Sequence, residues 1–288
     1  MRYLIELIVS GLAVGAIYGL IGMAYAVIYK STGLVNFAQG EVGMMVAYAS
    51  WSISTTLGTG TWGVIVAALI VGVLTGLLIE RLVMRPMLGE PVFSGVMVTI
   101  GLAVVLRSII QLIWGAEPHR VEGGGAVVHV GEIGLRLSQL GVIATLLLAM
   151  LGAWLFFKHG RFGIAMRAVA ADEKTARLMG VSTARVQSVA WVASSVLAGL
   201  AGLFFAVIYD LSPALSAIGL KAFPATVLGG LDAVIGSGFS GLIIGVIENL
   251  TGGYFGSTLK EVIGFLLILV VLMVRPFGMF GEREIERV

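Results

Sequence analysis

Long apolar runs with few charged residues, separated by short polar segments, make up most of the chain. One helix of ~20 apolar residues is enough to cross a bilayer. The pattern predicts an all-α integral membrane protein, a polytopic bundle of about eight or nine transmembrane helices forming one domain over residues 1–288. The runs fall at about 4–29, 41–56, 62–79, 92–113, 138–157, 189–209 and 258–274, with an interrupted run at 222–251.

The interrupted run decides the number of crossings. Gly236-Ser237-Gly238 divides it, which predicts two short crossings at about 222–235 and 238–251. Nine passes then place the N-terminus outside and the C-terminus inside. The alternative is one long kinked helix, eight passes and an internal N-terminus, which fits the loop charges less well.

The short loops differ in charge, and an excess of Lys and Arg marks the cytoplasmic side. The loop at about 114–137 holds three glutamates against two arginines, so we expect it to face outward. Three basic clusters are expected in the cytoplasm: Arg81 with Arg85, the loop at 158–185, and the tail with Arg275, Arg283 and Arg287.

Composition supports a membrane protein. Apolar residues make up 58% of the chain, charged residues 12%, and the mean hydropathy is +1.04. A soluble domain would carry about twice that charge. The net charge of +2 indicates no particular partner, and the absence of cysteine excludes disulfides and thiol chemistry. Ala24-Tyr25-Ala26 resembles a signal-peptidase site, but the apolar stretch is too long for a signal peptide. We therefore expect 4–29 to be a retained span.

Glycine is abundant, with 41 residues, and several glycines repeat at four-residue spacing. In lipid, small residues on one helix face let two backbones approach closely. The repeats predict tight helix packing in the bundle. They are Gly11, Gly15 and Gly19 in the first span, Gly72 with Gly76, and Gly241 with Gly245.

Motifs for catalysis are missing from the sequence. There is no G-x-S-x-G, no H-E-x-x-H and no Gly-Lys pair of a Walker A loop, and the three histidines lie near loops. We expect no metal centre and no cofactor on this chain, and ATP hydrolysis would belong to another polypeptide. Glu6 and Arg107 lie near span ends, where they are expected to snorkel. A gradient-driven carrier is less favoured, because no proton relay is evident.

The polar segment Gly33–Glu41 separates the first two spans. Asn36 followed by Gln39 fits a capping box at the start of a helix. A second interpretation places this helix start beside the substrate route, as half-helix ends lie in many transporters. The two roles are compatible.

The basic segment 158–185 is the longest polar stretch between two spans. Gly163–Ala171 is predicted to be helical, Asp172 and Glu173 favour the first turn of a second helix, and Gly180 suits its left-handed end. Ser182 would cap the next span. The positive-inside rule explains its basic residues one by one. The helix–turn–helix as a whole predicts a compact structure to which another protein could bind.

Three motifs in this order resemble permease subunits of branched-chain amino-acid ABC importers, and most closely the LivH type. The resemblance spans nearly the whole chain. The motifs are Gly33–Glu41, the loop Arg161–Asp172 continuing through Leu178–Val181, and Ala222–Gly230.

The resemblance implies an ABC importer permease fold with short cytoplasmic coupling helices in a loop at about 158–188. Movement of two cytoplasmic ATPase subunits, which use the ATP, would switch the access of the spans. The expected ATPase-coupling residues are Arg167, Ala170, Ala171, Asp172, Glu173, Thr175, Ala176, Leu178 and Gly180. The expected residues of the translocation pathway are Asn36, Gln39, Gly40 and Glu41.

The resemblance also implies partners and a location. The chain would work in the bacterial inner membrane, among its lipids, with a LivM-like permease or a second copy of itself. A periplasmic binding protein would deliver Leu, Ile or Val to the outward loops, and nucleic acid has no part. Related permeases move urea, amides or other amino acids, so these substrates remain an alternative.

Overall fold

The computed structural model describes residues 2–121, 127–130, 133–275 and 277–281. A π-helical turn, Glu80–Met84, and a 3-10 turn, Arg85–Met87, extend the helix Gly60–Ile79, and a second 3-10 turn, Pro213–Ser216, precedes the helix Ala217–Gly229. The helices are α1 Arg2–Thr32, α2 Gln39–Leu57, α3 Gly60–Ile79, α4 Val92–Trp114, α5 Leu137–His159, α6 Arg161–Ala171, α7 Glu173–Leu178, α8 Thr183–Tyr209, α9 Ala217–Gly229, α10 Val234–Phe255 and α11 Ser257–Val274.

The expected helical membrane protein is confirmed, with one addition. A small antiparallel hairpin, β1 Val127–Val130 with β2 Ile133–Arg136, lies in the loop between α4 and α5. Residues 122–126 and 131–132 of this loop, including Glu122 and Glu132, lie outside the described residues, as do Arg283 and Arg287 of the tail.

Glycine packing joins the central helices, as the four-residue spacing predicted. A Cβ atom added to Gly11 would lie 2.8 Å from the Cα of Val246, and one added to Gly15 would lie 2.7 Å from the carbonyl oxygen of Gly241. α1 and α10 therefore touch backbone to backbone. A Cβ at Gly76 would lie 2.7 Å from the Cα of Val192, which brings α3 equally close to α8.

Seven helices of the described chain are long and apolar enough to cross a membrane: α1, α3, α4, α5, α8, α10 and α11. The predicted count of eight or nine is not confirmed by these criteria. α2 has 19 residues but is less apolar. α9 has 13 residues, which is about 20 Å of helix and shorter than the ~30 Å hydrocarbon core.

The predicted break at Gly236-Ser237-Gly238 is wrong. These residues lie inside α10, and the chain turns at residues 230–233, where Gly230 has φ +104°. The reason is that the glycines of α10 serve packing. A Cβ at Gly236 would lie 2.8 Å from the carbonyl oxygen of Gly229, and one at Gly238 would lie 3.2 Å from the Sδ of Met23.

One end of the bundle gathers several chain segments, and we call it the coupling end. The Nζ of Lys30, near the end of α1, lies 5.8 Å from the ring centre of Phe157 and donates to the carbonyl of Asp232. The backbone of Met279 donates to Leu228 over 2.8 Å. The ends of α1, α5 and α9 and the segment after α11 therefore lie together.

The opposite end is marked by aromatic stacking. The rings of Trp51 and His119 stack with their centres 4.5 Å apart, and the backbone of His119 pairs with Leu211. The end of α2, the segment after α4 and the segment after α8 therefore meet here. These contacts at the two ends agree with helices that cross the bundle in alternating directions.

Candidate functional site

The loop between α5 and α8, which we call the coupling knob, folds into two short helices. α6 spans Arg161–Ala171 and α7 spans Glu173–Leu178, so α6 begins two residues before the prediction. Gly180 has φ +86°, the left-handed conformation that glycine adopts readily. Ser182 precedes α8 in the N-cap position, but its side chain makes no capping hydrogen bond. The predicted helix–turn–helix is confirmed.

Asp172 holds the junction of α6 and α7. Its Oδ1 accepts hydrogen bonds from the backbone N–H groups of Lys174 at 2.9 Å and Thr175 at 3.2 Å, while its Oδ2 accepts from the Thr175 hydroxyl. The Thr175 hydroxyl, followed by the backbone N–H groups, lowers the pKa of the Asp172 carboxyl. The cap therefore remains ionised at neutral pH and stabilises the first turn of α7.

The knob is anchored to the bundle by one buried face. Met166 is fully buried and Val169 nearly so, and both belong to the main hydrophobic core. Arg177 donates from Nε to the Thr183 hydroxyl at 3.1 Å, which ties α7 to the first residue of α8. The knob is therefore fixed to the bundle core and to the first residue of α8.

The outer face of the knob carries exposed apolar side chains. Leu178 is 87% exposed and Met179 is 81% exposed. Sequence reasoning missed Met179, although an apolar pair just before a left-handed glycine could have indicated it. Among the expected coupling residues, Ala176 is packed into the core, so its methyl group faces the bundle. The exposed ones are Arg167, Ala170, Ala171, Asp172, Glu173, Thr175, Leu178 and Gly180.

A second candidate site, which we call the polar clasp, consists of Asn36, Gln39, Ser194 and the carbonyl of Ala24. The Nδ2 of Asn36 donates to the Oε1 of Gln39 at 2.8 Å, and the Nε2 of Gln39 donates to the Oγ of Ser194 at 3.0 Å. The Ser194 hydroxyl donates to the carbonyl of Ala24 at 2.9 Å. The clasp therefore joins α1, the segment before α2, and α8.

The clasp replaces the predicted capping box, which is wrong in detail. Ala38 is the N-cap residue of α2 and makes no side-chain capping bond. Asn36 instead accepts from the backbone of Ala38 at 3.0 Å, and the Gln39 side chain bonds to the Asn36 side chain and to Ser194, not to a backbone N–H of the helix start. The Gln39 side chain bonds to Ser194 on α8 because a buried amide needs hydrogen-bond partners within the protein. Asn36 is 1% exposed and Gln39 is 0% exposed.

The clasp lies inside the bundle, not at one end. Ser194 is the twelfth of the 27 residues of α8, about 16 Å along the helix from its start. Gly40 packs on the carbonyl of Ser216, and a Cβ added to Gly219 would lie 2.7 Å from the backbone nitrogen of Gly40. The starts of α2 and α9 therefore adjoin each other within the bundle.

Beside these helix starts lies an ion pair that the sequence did not predict. The Nη2 of Arg107 on α4 contacts the Oε1 of Glu41 at 2.5 Å. Arg107 was expected to snorkel to a span end, but its side chain turns inward to this carboxylate. The Glu41 side chain is 5% exposed, whereas that of Arg107 is 51% exposed. α4 is also held by the Thr99 hydroxyl, which accepts from the backbone of Phe37 at 3.2 Å.

The four expected pathway residues thus lie together at the start of α2: Asn36, Gln39, Gly40 and Glu41. All four are buried in this conformation, and each polar side chain among them has a protein partner. The described residues include no cluster of His, Cys, Asp and Glu with the arrangement of a metal site.

Comparison with known proteins agrees with this architecture. A family model for the permease component of branched-chain amino acid transport systems matches residues 7–272. The high-affinity branched-chain amino acid transport system permease protein LivH of Escherichia coli K12 is 32% identical over 302 residues, 99% of this chain and 98% of LivH. The corresponding protein BraD of Pseudomonas aeruginosa is 30% identical over 99% of this chain and 98% of BraD.

A solved structure shares the fold. A chain of PsaBC from Streptococcus pneumoniae in complex with Fab superposes with a TM-score of 0.51, covering 93% of this chain and 91% of that chain. At 13% identity this likeness concerns the fold alone. With a family model that spans nearly the whole sequence and relatives that align end to end, the chain belongs to the family of permease components of branched-chain amino acid transport systems.

Proposed function

We propose that this chain is the transmembrane permease subunit of an ATP-driven ABC importer that moves Leu, Ile or Val across the bacterial inner membrane by alternating access. Family membership supports the class, and the names of LivH and BraD support the substrate. The observation that carries the proposal is the coupling knob. It has an anchored inner face and an outer face with Leu178 and Met179 almost fully exposed.

The knob is suited to a partner that moves. Two exposed apolar side chains at the tip of a rigid protrusion fit a groove on another protein better than they fit water. We assign this partner as a cytoplasmic ATPase subunit, one of two in the complex, which binds and uses the ATP. Apart from Ala176, which is packed in the core, the expected ATPase-coupling residues are exposed, and we add Met179 to them.

The polar clasp connects movement of α8 to the proposed pathway residues at the start of α2. Displacement of α8 by the knob pulls on Ser194, and Ser194 is bonded to Gln39 at the first turn of α2. We propose that this shift opens and closes the passage at the adjoining starts of α2 and α9, with Asn36, Gln39, Gly40 and Glu41 at its wall. Helix starts within a bundle mark substrate sites in other transporter folds.

A nine-pass topology includes two helical segments that are not among the seven candidate spans. α2 and the segment Pro213–Gly229 would act as partial crossings, with the N-terminus outside and the coupling end in the cytoplasm. Arg85 supports this orientation, because it lies at the coupling end and reaches the Ser188 hydroxyl on α8. A LivM-like permease or a second copy would complete the passage, and a periplasmic binding protein would dock on loops that include 114–137.

Reconstitution tests the proposal. The permease, its second permease and the ATPases are placed in liposomes with the binding protein, and uptake of radioactive leucine is followed with and without ATP. We expect uptake only with ATP and the ATPases. Uptake by the permeases alone, driven by an ion gradient, would indicate a secondary carrier instead. A panel with urea, short amides and other amino acids separates the substrate alternatives.

A further inference from the structure

α4 packs on the bundle by one narrow face. Gly95, Thr99, Leu106 and Ile110 are buried, and much of the remaining surface of the helix is exposed in the single chain. Other helices also have broad exposed faces. Those of α3 are apolar and suit lipid: Val66, Leu69, Ile70, Val73, Leu74, Leu77 and Leu78.

The exposed face of α4 differs because it carries polar groups within the span. Ile100, Val104, Arg107 and Gln111 follow the three- and four-residue spacing of one helix face, and all four are exposed. Arg107 is the sixteenth of the 23 residues of α4, about 10 Å from its last residue. A guanidinium that faces lipid within a span is costly, so such groups face protein or a water-filled cavity.

Arg107 lies beside a break between helices of the bundle. Its partner Glu41 stands in the first turn of α2, where the starts of two helices adjoin inside the bundle. Backbone that ends a helix at membrane depth is tolerated where it is buried in protein or lines a water-filled cavity. The Arg107 side chain, which contacts Glu41 at this break, is half exposed among the described residues.

The pair has the chemistry of a zwitterion receptor. The hydrogen bond that Glu41 accepts uses Nη2, which leaves other guanidinium N–H groups for a second carboxylate. Arginine binds carboxylates through two parallel hydrogen bonds. An amino acid would bring its carboxylate to Arg107 and its ammonium to Glu41, so the site stays neutral overall.

We propose that the α4 face of Ile100, Val104, Arg107 and Gln111 lines the aqueous passage, and that Arg107 binds the carboxylate of the passing amino acid. The inference rests on the proposed importer function and names the recognising side chain within it. The four residues proposed above for the pathway would form the wall next to it, and Glu41 belongs to both.

Cysteine accessibility tests the position of the face, and the cysteine-free chain makes the labelling specific. Val104→Cys is compared with Val73→Cys on the apolar face of α3, in proteoliposomes holding the whole complex. A water-soluble methanethiosulfonate should label Val104→Cys at least about tenfold faster, since thiols react as solvated thiolates. Labelling no faster than the control would overturn the proposal.

Charge variants test the role of the side chain. Arg107→Gln should lower leucine uptake about 10- to 100-fold, the effect of losing a hydrogen bond to a charged group, and Arg107→Lys should lower it less. A role limited to neutralising Glu41 predicts that Arg107→Gln combined with Glu41→Gln restores uptake. The carboxylate role predicts that the double variant stays impaired, so recovery would overturn it.

Uptake by the wild-type complex distinguishes failure of the Arg107 role from failure of the proposed importer function. Leucine uptake by the wild type with normal uptake by Arg107→Gln would remove Arg107 from recognition and leave the importer proposal intact. Failure of the wild type to transport any amino acid would contradict the proposed function itself.

Discussion

The side chain of Gln39 donates a hydrogen bond to the hydroxyl of Ser194 over 3.0 Å and so fastens the first turn of α2 to the middle of α8. α8 begins three residues after Gly180 of the coupling knob. A single helix therefore connects the surface proposed to meet the ATPase with the residues proposed to wall the passage.

Removal of this bond should affect transport more than folding. Gln39→Ala leaves the Asn36 amide and the Ser194 hydroxyl short of partners, at a cost of about 1–3 kcal/mol of folding free energy. We expect leucine uptake to fall severalfold while the complex still assembles, which purification and uptake assays on the same preparation measure.

Thr56→Ala is the matched control for the clasp. Thr56 is exposed near the other end of α2, and its hydroxyl bonds only within its own helix, to the carbonyl of Ser52. Uptake by this variant should equal that of the wild type. Normal uptake by Gln39→Ala would remove the clasp from the transmission route.

Glycine contacts between α1 and α10 should govern stability. Gly15→Ala places a methyl group 2.7 Å from the carbonyl of Gly241, and overpacking of this kind costs about 1–3 kcal/mol. We expect a lower unfolding temperature in detergent. The Cβ added by Gly152→Ala on α5 has no atom within 4 Å, so this variant should leave the unfolding temperature unchanged or raise it. Equal unfolding temperatures would contradict the close packing.

The cap at Asp172 should respond to acid. Because its pKa is lowered in the folded protein, its stabilising effect is complete above the ordinary carboxyl pKa of 3.8 and is lost as the pH falls through the lowered value. Amide exchange at Lys174 and Thr175 should therefore accelerate on acidification relative to the intrinsic rate.

Asp172→Asn provides the control for this titration. The amide oxygen still accepts from the backbone but carries no charge, so the acid-dependent part of the protection should disappear. Protection with the same pH dependence in the variant would assign the effect to another group.

The coupling knob could be predicted from sequence because its signals are local. Asp172 caps the helix that follows it, and Gly180 ends it in the left-handed conformation. Each signal acts within a few residues. The positions of most spans followed as well, since hydrophobic length alone sets them.

The site at the start of α2 could not be predicted in full because its partners are distant in sequence. Gln39 bonds to a residue 155 positions away, and Glu41 pairs with a residue 66 positions away. The wrong prediction of a helix break in α10 has the same cause. Gly236 and Gly238 suggest a break by themselves, and only their contacts with Gly229 and Met23 show that they serve packing.

The exposed apolar tip of the knob should be required for assembly with the ATPase. Leu178→Asp places a charge where an apolar groove is expected, and we expect the ATPase to be lost on purification of the permease. Leu269→Asn, on the exposed face of α11, is the comparison, because it alters an equally apolar exposed position away from the knob. Loss of the ATPase from both variants would point to general misfolding.

Cross-linking from the knob tests the central claim most directly. Met179→Cys provides a single thiol at the tip, and Tyr3→Cys, at the far end of α1 and 53% exposed, provides the control. A short bifunctional reagent in intact membranes should join Met179→Cys to the ATPase subunit, with a yield that changes when ATP binds, and should leave Tyr3→Cys free of it. An ATPase adduct at Tyr3→Cys, or labelling of Met179→Cys only from the cell exterior, would contradict the account.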